Sequence, residues 1–420
     1  MPLELSAEAC VRWIAANAGD RRRVFIPFGP AEPIALREAW AAAPETAKRL
    51  TIVGAPLASI NDFDYAALTS TTRIEALIVT PEVARASERG AASVHPIHYS
   101  AIPRFLVDCP VDVAIAHCAP ARADRRASLG LSADLTPAAL QRARKRIVII
   151  NDAMPDVADS SCVAIDDFDV VVHCRTPLAA AAPTPLRVDA DAIARSVSAL
   201  VRDGDVVQIG IGKLPSAILP HLAVRKRLRV HSGLIDWGHL ALLEAGALAD
   251  EPGALTTGTA IGDADLYAAI AREPRLRVRP VTFTHNAAVL QAIENFVSIN
   301  AALEADLFGQ INAEYAGDRQ IAGVGGMADF VRGAAASRGG RAIIAIQAMA
   351  KDGRSRIRGR LQSPAVTLSR ADAPIIVTEF GVADLRNLDV EARAAAMIAI
   401  APPSHRDALR DAWSQLRAAS

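Results

Sequence analysis

Short runs of β-branched residues alternate with helix-forming stretches along almost the whole chain, and this alternation most restricts its possible folds. The segments between the runs, such as 34–43 and 136–146, repeat apolar residues at helical spacing. Strands separated by helices favour βαβ units, so the predicted fold class is α/β with a largely parallel sheet. The strand candidates of the first half are RVFIPF, RLTIVG, IEALIVT, VDVAIAHC, RIVIIND and FDVVVHC.

A proline- and alanine-rich segment at 179–188 interrupts the pattern and is predicted to be a linker. The alternation then restarts, and the chain closes as helix, break, helix. A chain of 420 residues is longer than one core usually organises. We therefore predict two α/β domains, 1–178 and 189–420. The strand candidates after the linker are GDVVQIGIG, LRVHSG, RVRPVTFTH, RAIIAIQ and APIIVTEFG.

Charge and cysteine content argue against several classes of partner and location. The 46 basic and 46 acidic residues balance, which argues against nucleic acid or a membrane surface as the main partner. The five cysteines form no CxxC pair, so no disulfide framework or zinc spacing is expected. The N-terminus resembles an amphipathic helix capped by Ser6 and not a signal peptide. A soluble cytoplasmic protein without a bound metal is expected.

Glycine pairs mark two candidate ligand-binding turns. In VVQIGIGKLPSAIL, a strand leads through Gly210, Ile211 and Gly212 into a helix with Pro215 in its first turn. Such a turn lets backbone amides approach a phosphate or an oxyanion, although it also suits a simple tight turn. Gly325 and Gly326 have the same two interpretations. A nicotinamide cofactor is not expected, because the third glycine and the following acidic residue of the dinucleotide motif are absent.

Polar residues inside apolar surroundings form a second set of candidates. The segment SINAALEADLFGQINAE contains Asn300 and Glu304, and such groups must be hydrogen-bonded if they are buried. Glu379 stands at a predicted strand end, where ligand crevices of α/β sheets lie. For these residues a structural hydrogen-bond network is favoured over catalysis.

Considered together, these motifs resemble the acetyl-CoA hydrolase/CoA-transferase family, which includes 4-hydroxybutyrate, butyrate and acetate CoA-transferases. The resemblance implies two CoA-transferase-type domains with the active site between them, and a homodimer. It implies acyl-CoA and a carboxylic acid acceptor as substrates, with no permanently bound cofactor. It also assigns the amides of the two glycine turns to the carbonyl pocket and the CoA-facing loops. The motifs are LGLSADLT, IVIINDAMPDV, VQIGIGKLPSAIL, HSGLIDWG, INAALEADLFGQINAE, GVGGMADFVRGA and VTEFGVADLR.

The sequence departs from the family at the position of its nucleophile. In the transferases, a glutamate after the His-Ser pair attacks the acyl-CoA carbonyl and then holds CoA as a glutamyl thioester. Here His231 and Ser232 are followed by Gly233. Since glycine has no carboxylate, a thioester cannot form at this position.

His285 is a second departure, because it stands where the resemblance places an asparagine, with Asn286 beside it. An imidazole of near-neutral pKa could deprotonate a water or stabilise an oxyanion, and a hydrogen-bonded core histidine is the equally weighted alternative. His231 is expected to be structural and His239 to lie on a helix. Asp236 could replace the lost carboxylate, although capping of the following helix is favoured. Glu304 and Glu379 are expected to support the site or the fold.

Three functions remain open from the sequence. The first is hydrolysis of a small or medium acyl-CoA thioester, or transfer without a glutamyl-CoA intermediate. The second is a catalytically silent CoA-binding protein. The third is a CoA-transferase that uses a substitute carboxylate such as Asp236.

Overall fold

The computed structural model describes residues 1–58, 60–181, 190–372 and 374–418. Contacts divide the chain into two compact units, of which the first contains 1–183, 233–237 and 251–284 and the second the remainder. Two segments that follow the predicted linker are thus grouped with the first unit. The predicted boundaries at 178 and 189 stay a prediction, and residues 182–188 of that linker lie outside the described residues.

The α-helices of the described residues are short, and most of them bury one face against a sheet. In chain order they are α1 (Ala7–Asn17), α2 (Ile34–Ala42), α3 (Pro81–Glu88), α4 (Ile102–Asp108), α5 (Thr136–Arg142), α6 (Asp191–Ala199), α7 (Lys213–Leu222), α8 (Trp237–Glu244), α9 (Ala264–Ala271), α10 (Val281–Thr284), α11 (Ala287–Ala292), α12 (Met327–Ala336), α13 (Val390–Ala399) and α14 (Arg406–Ala418). None of these helices is both long enough and apolar enough to span a membrane.

The strands of the described residues are also short. In chain order they are β1 (Leu3–Leu5), β2 (Arg23–Phe25), β3 (Thr51–Gly54), β4 (Arg73–Ala76), β5 (Ala92–Val94), β6 (Val113–Cys118), β7 (Arg126–Ser128), β8 (Lys145–Asn151), β9 (Asp159–Ser160), β10 (Cys162–Ala164), β11 (Val170–Cys174), β12 (Val206–Ile209), β13 (Arg229–Ile235), β14 (Leu255–Ala260), β15 (Leu276–Val278), β16 (Phe296–Ala301), β17 (Glu304–Asp306), β18 (Ile311–Asn312), β19 (Tyr315–Ala316), β20 (Arg319–Gln320), β21 (Arg341–Ala345), β22 (Ile357–Arg358), β23 (Ile375–Thr378) and β24 (Gly381–Asp384).

The first unit contains a parallel sheet in the order β1-β11-β8-β6-β2-β3-β4-β5. All six strands predicted in this half belong to it, and the short edge strands β1 and β5 were missed. Strand β6 is buried along its whole length, as expected for a strand covered on both faces. The predicted α/β fold with a largely parallel sheet is confirmed.

Helix α1 shows how local sequence sets an element of this unit. The hydroxyl of Ser6 accepts a hydrogen bond from the amide of Ala9 at 3.2 Å, which is the predicted N-cap. Cys10, Val11 and Ile14 form the buried stripe of the helix and join the core of the sheet.

Two element predictions in the first unit were wrong in extent. The helix predicted over 136–146 ends at Arg142, because β8 begins at Lys145 and pairs with β6 and β11. The strand predicted in RVRPVTFTH ends at Val278, although β15 pairs in parallel with β14 and β9 as a strand should. Pro280 follows without an amide hydrogen to donate, and the chain turns into α10.

The second unit contains a sheet in the order β24-β23-β21-β16-β12-β13. The strands are parallel except for β24, which pairs antiparallel with β23 at the edge. The predicted final helix, break and helix are α13 and α14. Because these parallel strands run the same way, their carboxyl ends meet at one edge of the sheet, where ligands of open α/β sheets bind.

Candidate functional site

Three predicted residues lie at this carboxyl edge of the second unit. Gly210 follows β12, Asn300 is the second-last residue of β16, and Glu379 follows β23. The sequence predicts that Gly210 and Glu379 each stand at or near a strand end. The parallel pairing of the strands then brings the three residues to one edge of the sheet.

The Gly210–Gly212 turn has the predicted strand-turn-helix form. Strand β12 ends at Ile209, α7 begins at Lys213, and Pro215 lies in the first turn of the helix. Gly212 occupies the N-cap with φ of +117°, a conformation that favours glycine. The turn is exposed, and Ile211 shows 58% of its surface to solvent. The first amides of a helix lack partners within the helix, so this turn is suited to bind an anion.

Gly210 is required by the close approach of Asn300. A Cβ added at Gly210 would lie 2.6 Å from Oδ1 of Asn300. The amide of this buried asparagine donates to Oε1 of Gln208 and Oγ of Ser298, both at 3.0 Å. These bonds support the structural interpretation of Asn300, which fixes the base of the glycine turn.

Glu304 and Glu379 also form structural contacts. A carboxylate oxygen of Glu304 accepts a hydrogen bond from Nε of Arg358 at 2.8 Å, joining β17 to β22. Glu379 accepts the backbone amide of Ala348 at 2.8 Å and so holds the loop after β21. The supporting role expected of both residues stays a prediction.

His285 packs against the start of α12 and is buried. Its ring lies 4.5 Å from that of Phe330, centroid to centroid. A Cβ added at Gly326, the N-cap residue of α12, would lie 2.5 Å from Nε2 of His285. The histidine and the second glycine turn, predicted separately, are therefore in contact.

The pKa of His285 is lowered to about 3, first by burial and then by the nearby His231. The imidazole is therefore neutral at physiological pH. The hypothesis that His285 deprotonates a water assumed a near-neutral pKa. Burial lowers the pKa far below that range. A neutral imidazole of such low pKa is a weak base, and it suits hydrogen bonding to a substrate oxygen better than proton abstraction.

Substitution of Gly326 by alanine should displace the His285 ring. The added methyl group would overlap Nε2, so we expect a loss of about 1–3 kcal/mol in the free energy of unfolding. Chemical denaturation of Gly326→Ala, His285→Ala and the double variant measures this cost. In the His285→Ala background the methyl group has room, so the cost of Gly326→Ala should be much smaller there. Equal costs in both backgrounds would refute the contact.

Gly233 lies within β13, and Asp236 follows the end of that strand. Side chains of a strand alternate between its faces, and three extended residues span about 10 Å. The role of Asp236 as a substitute nucleophile stays a prediction. It directly precedes α8, at the position of an N-cap. His239 lies on α8 as predicted, and His231 packs edge-on against Phe296.

Asp134 and Tyr99 form a hydrogen-bonded pair, and the sequence analysis did not name either residue as a candidate for the site. The Tyr99 hydroxyl donates to Oδ2 of Asp134 at 2.6 Å. Burial raises the pKa of Asp134 to about 6, while the bond from Tyr99 acts in the opposite direction. Asp134 lies in the motif LGLSADLT, where it is an isolated acid among small and apolar residues. That isolation was the available signal.

Over the described ranges, the structure contains no group of three or more histidine, cysteine, aspartate or glutamate side chains placed to hold a metal ion. The cysteines described are free thiols.

The fold defines an α/β protein of the class in which parallel strands end at one edge of the sheet, here beside the Gly210–Gly212 turn at the N-terminus of α7. The family models agree and are more specific. The acetyl-CoA hydrolase/transferase N-terminal domain matches residues 24–181, and the C-terminal domain of the same family matches 262–413. The chain belongs to the acetyl-CoA hydrolase/transferase family, which confirms the resemblance found in its motifs.

Individual relatives give the same result. The chain is 34% identical over 352 residues to the 4-hydroxybutyrate coenzyme A transferase of Clostridium kluyveri, covering 82% of each protein. It is 35% identical to the succinyl-CoA:cyclohexane-1-carboxylate CoA transferase of Geobacter metallireducens, covering 79% of this chain and 78% of the relative. The crystal structure of RipA from Yersinia pestis matches with a TM-score of 0.88 and 28% identity, covering 99% of this chain and 98% of that one.

Proposed function

We propose that this protein hydrolyses acyl-CoA thioesters, with water attacking the carbonyl carbon in place of a protein carboxylate. The observation that carries the proposal is Gly233, which stands directly after His231 and Ser232 where the transferases are expected to have their nucleophilic glutamate. A residue without a side chain cannot form the acyl anhydride or the glutamyl thioester, and it leaves room for a water.

The two glycine turns support binding of the thioester. Both precede helices of ten residues, α7 and α12, whose first amides point away from the helix. Backbone amides can stabilise the negative charge that develops on a carbonyl oxygen, and this does not require the missing glutamate. We assign Gly210, Ile211, Gly212, Gly325 and Gly326 to this role. His285, neutral and next to Gly326, is assigned to hydrogen bonding of the same oxygen.

The proposed substrates are CoA esters of small or medium acids, with no permanently bound cofactor. A cytoplasmic location and a homodimer remain predictions. Transfer to a carboxylic acid acceptor by a route without an enzyme thioester is the second candidate, and it is favoured by the transferase names of the relatives. Asp236 is a weak candidate for a substitute nucleophile, because it lies beyond the strand that holds Gly233.

Incubation with a panel of acyl-CoA esters tests the proposal through release of free CoA thiol. We expect catalytic release without any added carboxylic acid and without a covalent CoA adduct on the protein. A requirement for an acceptor acid would establish transfer instead. CoA binding without turnover would establish the silent protein. A CoA thioester at Asp236, which hydroxylamine would convert to a hydroxamate with release of CoA thiol, would establish the substitute nucleophile.

A further inference from the structure

We propose that Asp134 is the acid–base group of the hydrolysis and that Tyr99 is its positioning residue. The inference rests on the proposed function, since it names the group that accepts the proton of the attacking water. Both residues, and the groups that they contact, lie in the first unit of the chain.

The backbone holds Asp134 in an unusual conformation. Its φ is +29°, in the left-handed region that residues other than glycine seldom adopt. The segment is fixed by hydrogen bonds from the amides of Ala133 and Asp134 to the carbonyl oxygen of Gly258, at 3.1 and 3.3 Å. The amide of Val281 in turn donates to the carbonyl oxygen of Asp134 at 3.0 Å. Strain of this kind persists where surrounding contacts determine the conformation, and it is frequent at functional sites.

The carboxyl group of Asp134 has one fixed and one available oxygen. Tyr99 donates to Oδ2, and Oδ1 forms no hydrogen bond within the described part of the chain. Oδ1 points towards the surface of Gly258, where an added Cβ would lie 3.6 Å from it. The same point lies 2.9 Å from the carbonyl oxygen of Gly233. The available oxygen of Asp134 is thus close to the backbone of the residue whose side chain is missing.

Asp134 also lines a small pocket with a volume of about 10 Å³, the space of roughly one water molecule. Phe25, Pro27 and Phe28 give this pocket apolar walls, and Ser132 and Thr136 add hydroxyl groups on the side of Asp134. This pocket therefore suits a single water next to the carboxyl group that would deprotonate it.

Asp134 is better suited than His285 to accept a proton from the attacking water, because of its pKa. Burial raises the pKa of Asp134 to about 6, which is close to the working pH of a cytoplasmic enzyme. The pKa of His285 is lowered to about 3 by its own burial. Among the described contacts of the Asp134 carboxyl group, Tyr99 is the titratable neighbour, and burial keeps it neutral by raising its pKa well above the usual value.

Asp134 carries a proton from the attacking water to the leaving thiolate in the proposed step. The oxygen of a water forms a bond to the thioester carbonyl carbon, while the Asp134 carboxylate takes one proton of that water. The tetrahedral intermediate then collapses and the carbon–sulfur bond breaks. The leaving thiolate takes the proton back from Asp134. The products are a carboxylic acid and CoA thiol, and the Asp134 carboxylate is regenerated.

Asp134→Asn and Tyr99→Phe, assayed by thiol release between pH 5 and 9, test the proposal. For Asp134→Asn we expect a loss of about 10²- to 10⁴-fold in kcat, the usual contribution of general base catalysis. In the wild type, kcat/KM should decrease as the pH falls below about 6, the pKa of Asp134. In Tyr99→Phe this acidic limb should move to higher pH, because the lost hydrogen bond favours the charged carboxylate.

A stability measurement separates catalysis from folding. The folded state of the wild type binds a proton at Asp134 more tightly than the unfolded state, because the pKa is raised from 3.8 to about 6. Wild-type stability relative to Asp134→Asn should therefore fall as pH rises from about 4 to 6 and then stay constant. The inactive Asp134→Asn protein should consequently melt no lower than the wild type at pH 8.

Matched controls are Asp112→Asn and Tyr267→Phe. Asp112 is a buried carboxylate that accepts the amide of Arg23, and the hydroxyl of Tyr267 donates to the carbonyl oxygen of Ala179. Neither of these two substitutions should change the pH dependence of kcat/KM. Thiol release retained by Asp134→Asn, or an acidic limb unmoved in Tyr99→Phe, would overturn the role of these two residues and leave the proposed function standing. Absence of thiol release from the wild type would overturn both.

Discussion

Substitution of Arg341 by methionine should lower the free energy of unfolding by about 3–5 kcal/mol, the usual cost of breaking a buried ion pair. The Arg341 guanidinium pairs with Asp205, and the two side chains are only 8% and 3% exposed. Arg341 also donates to the backbone oxygens of Leu200 at 3.1 Å and Gly339 at 2.8 Å. Its removal would leave these backbone acceptors without that donor and the buried Asp205 carboxylate without a counter-charge, although the amide of Arg202 would still donate to it.

Urea denaturation followed by circular dichroism measures this loss. Arg386→Met is the matched control, because its pair with Asp384 is about half exposed and should contribute no more than about 1 kcal/mol. Asp205→Asn combined with Arg341→Met should be more stable than Arg341→Met alone, since the unpaired charge is gone. Equal losses for Arg341→Met and the control would contradict a buried, stabilising pair.

The Arg341–Asp205 pair lies away from the candidate site, so its loss should not affect catalysis. Asp205 directly precedes β12, and Arg341 is the first residue of β21. Both therefore lie at the amino ends of parallel strands, at the edge opposite to Gly210 and Glu379. The folded fraction of Arg341→Met should keep its specific activity, which separates stability of the sheet from chemistry at its carboxyl edge.

The fold was predictable because its signals are local. The strands of the first sheet are continuous β-branched runs, and helices such as α1 carry a cap and an apolar stripe. Three-residue strands such as β1 and β5 are too short to give a pattern. The boundary between α5 and β8 depends on pairing with neighbouring strands, and such tertiary contacts override local helical spacing.

The candidate site was predictable only in part, for the same reason. The Gly210–Gly212 turn is encoded within one short segment, and the structure has it as predicted. The contact of His285 with Gly326 joins residues 41 positions apart, and that of Tyr99 with Asp134 joins residues 35 positions apart. The low pKa of His285 and the raised pKa of Asp134 arise from burial, which a sequence does not state.

Restoring a glutamate at position 233 should convert hydrolysis into CoA transfer through a covalent intermediate. Gly233 lies within strand β13, and residues with a side chain readily adopt the extended backbone of a strand. In Gly233→Glu the new carboxylate would occupy the proposed place of the water and attack the thioester first. We expect a glutamyl-CoA thioester on the protein. Borohydride should reduce it to an alcohol, or hydroxylamine convert it to a hydroxamate, with release of CoA thiol, and mass spectrometry should locate the modified side chain at position 233.

The control for this conversion is Gly233→Gln, which has the same size but no nucleophilic carboxylate. Both variants should lose thiol release, because either side chain excludes the water, and only Gly233→Glu should form the adduct and transfer CoA to an added acid. His285→Asn introduces the asparagine that the family resemblance places at position 285. Added to Gly233→Glu, this substitution should raise the transfer rate further. Identical behaviour of the Glu and Gln variants would mean that the groups around position 233 no longer support transferase chemistry. The absence of the glutamate would then not be what separates this protein from the transferases.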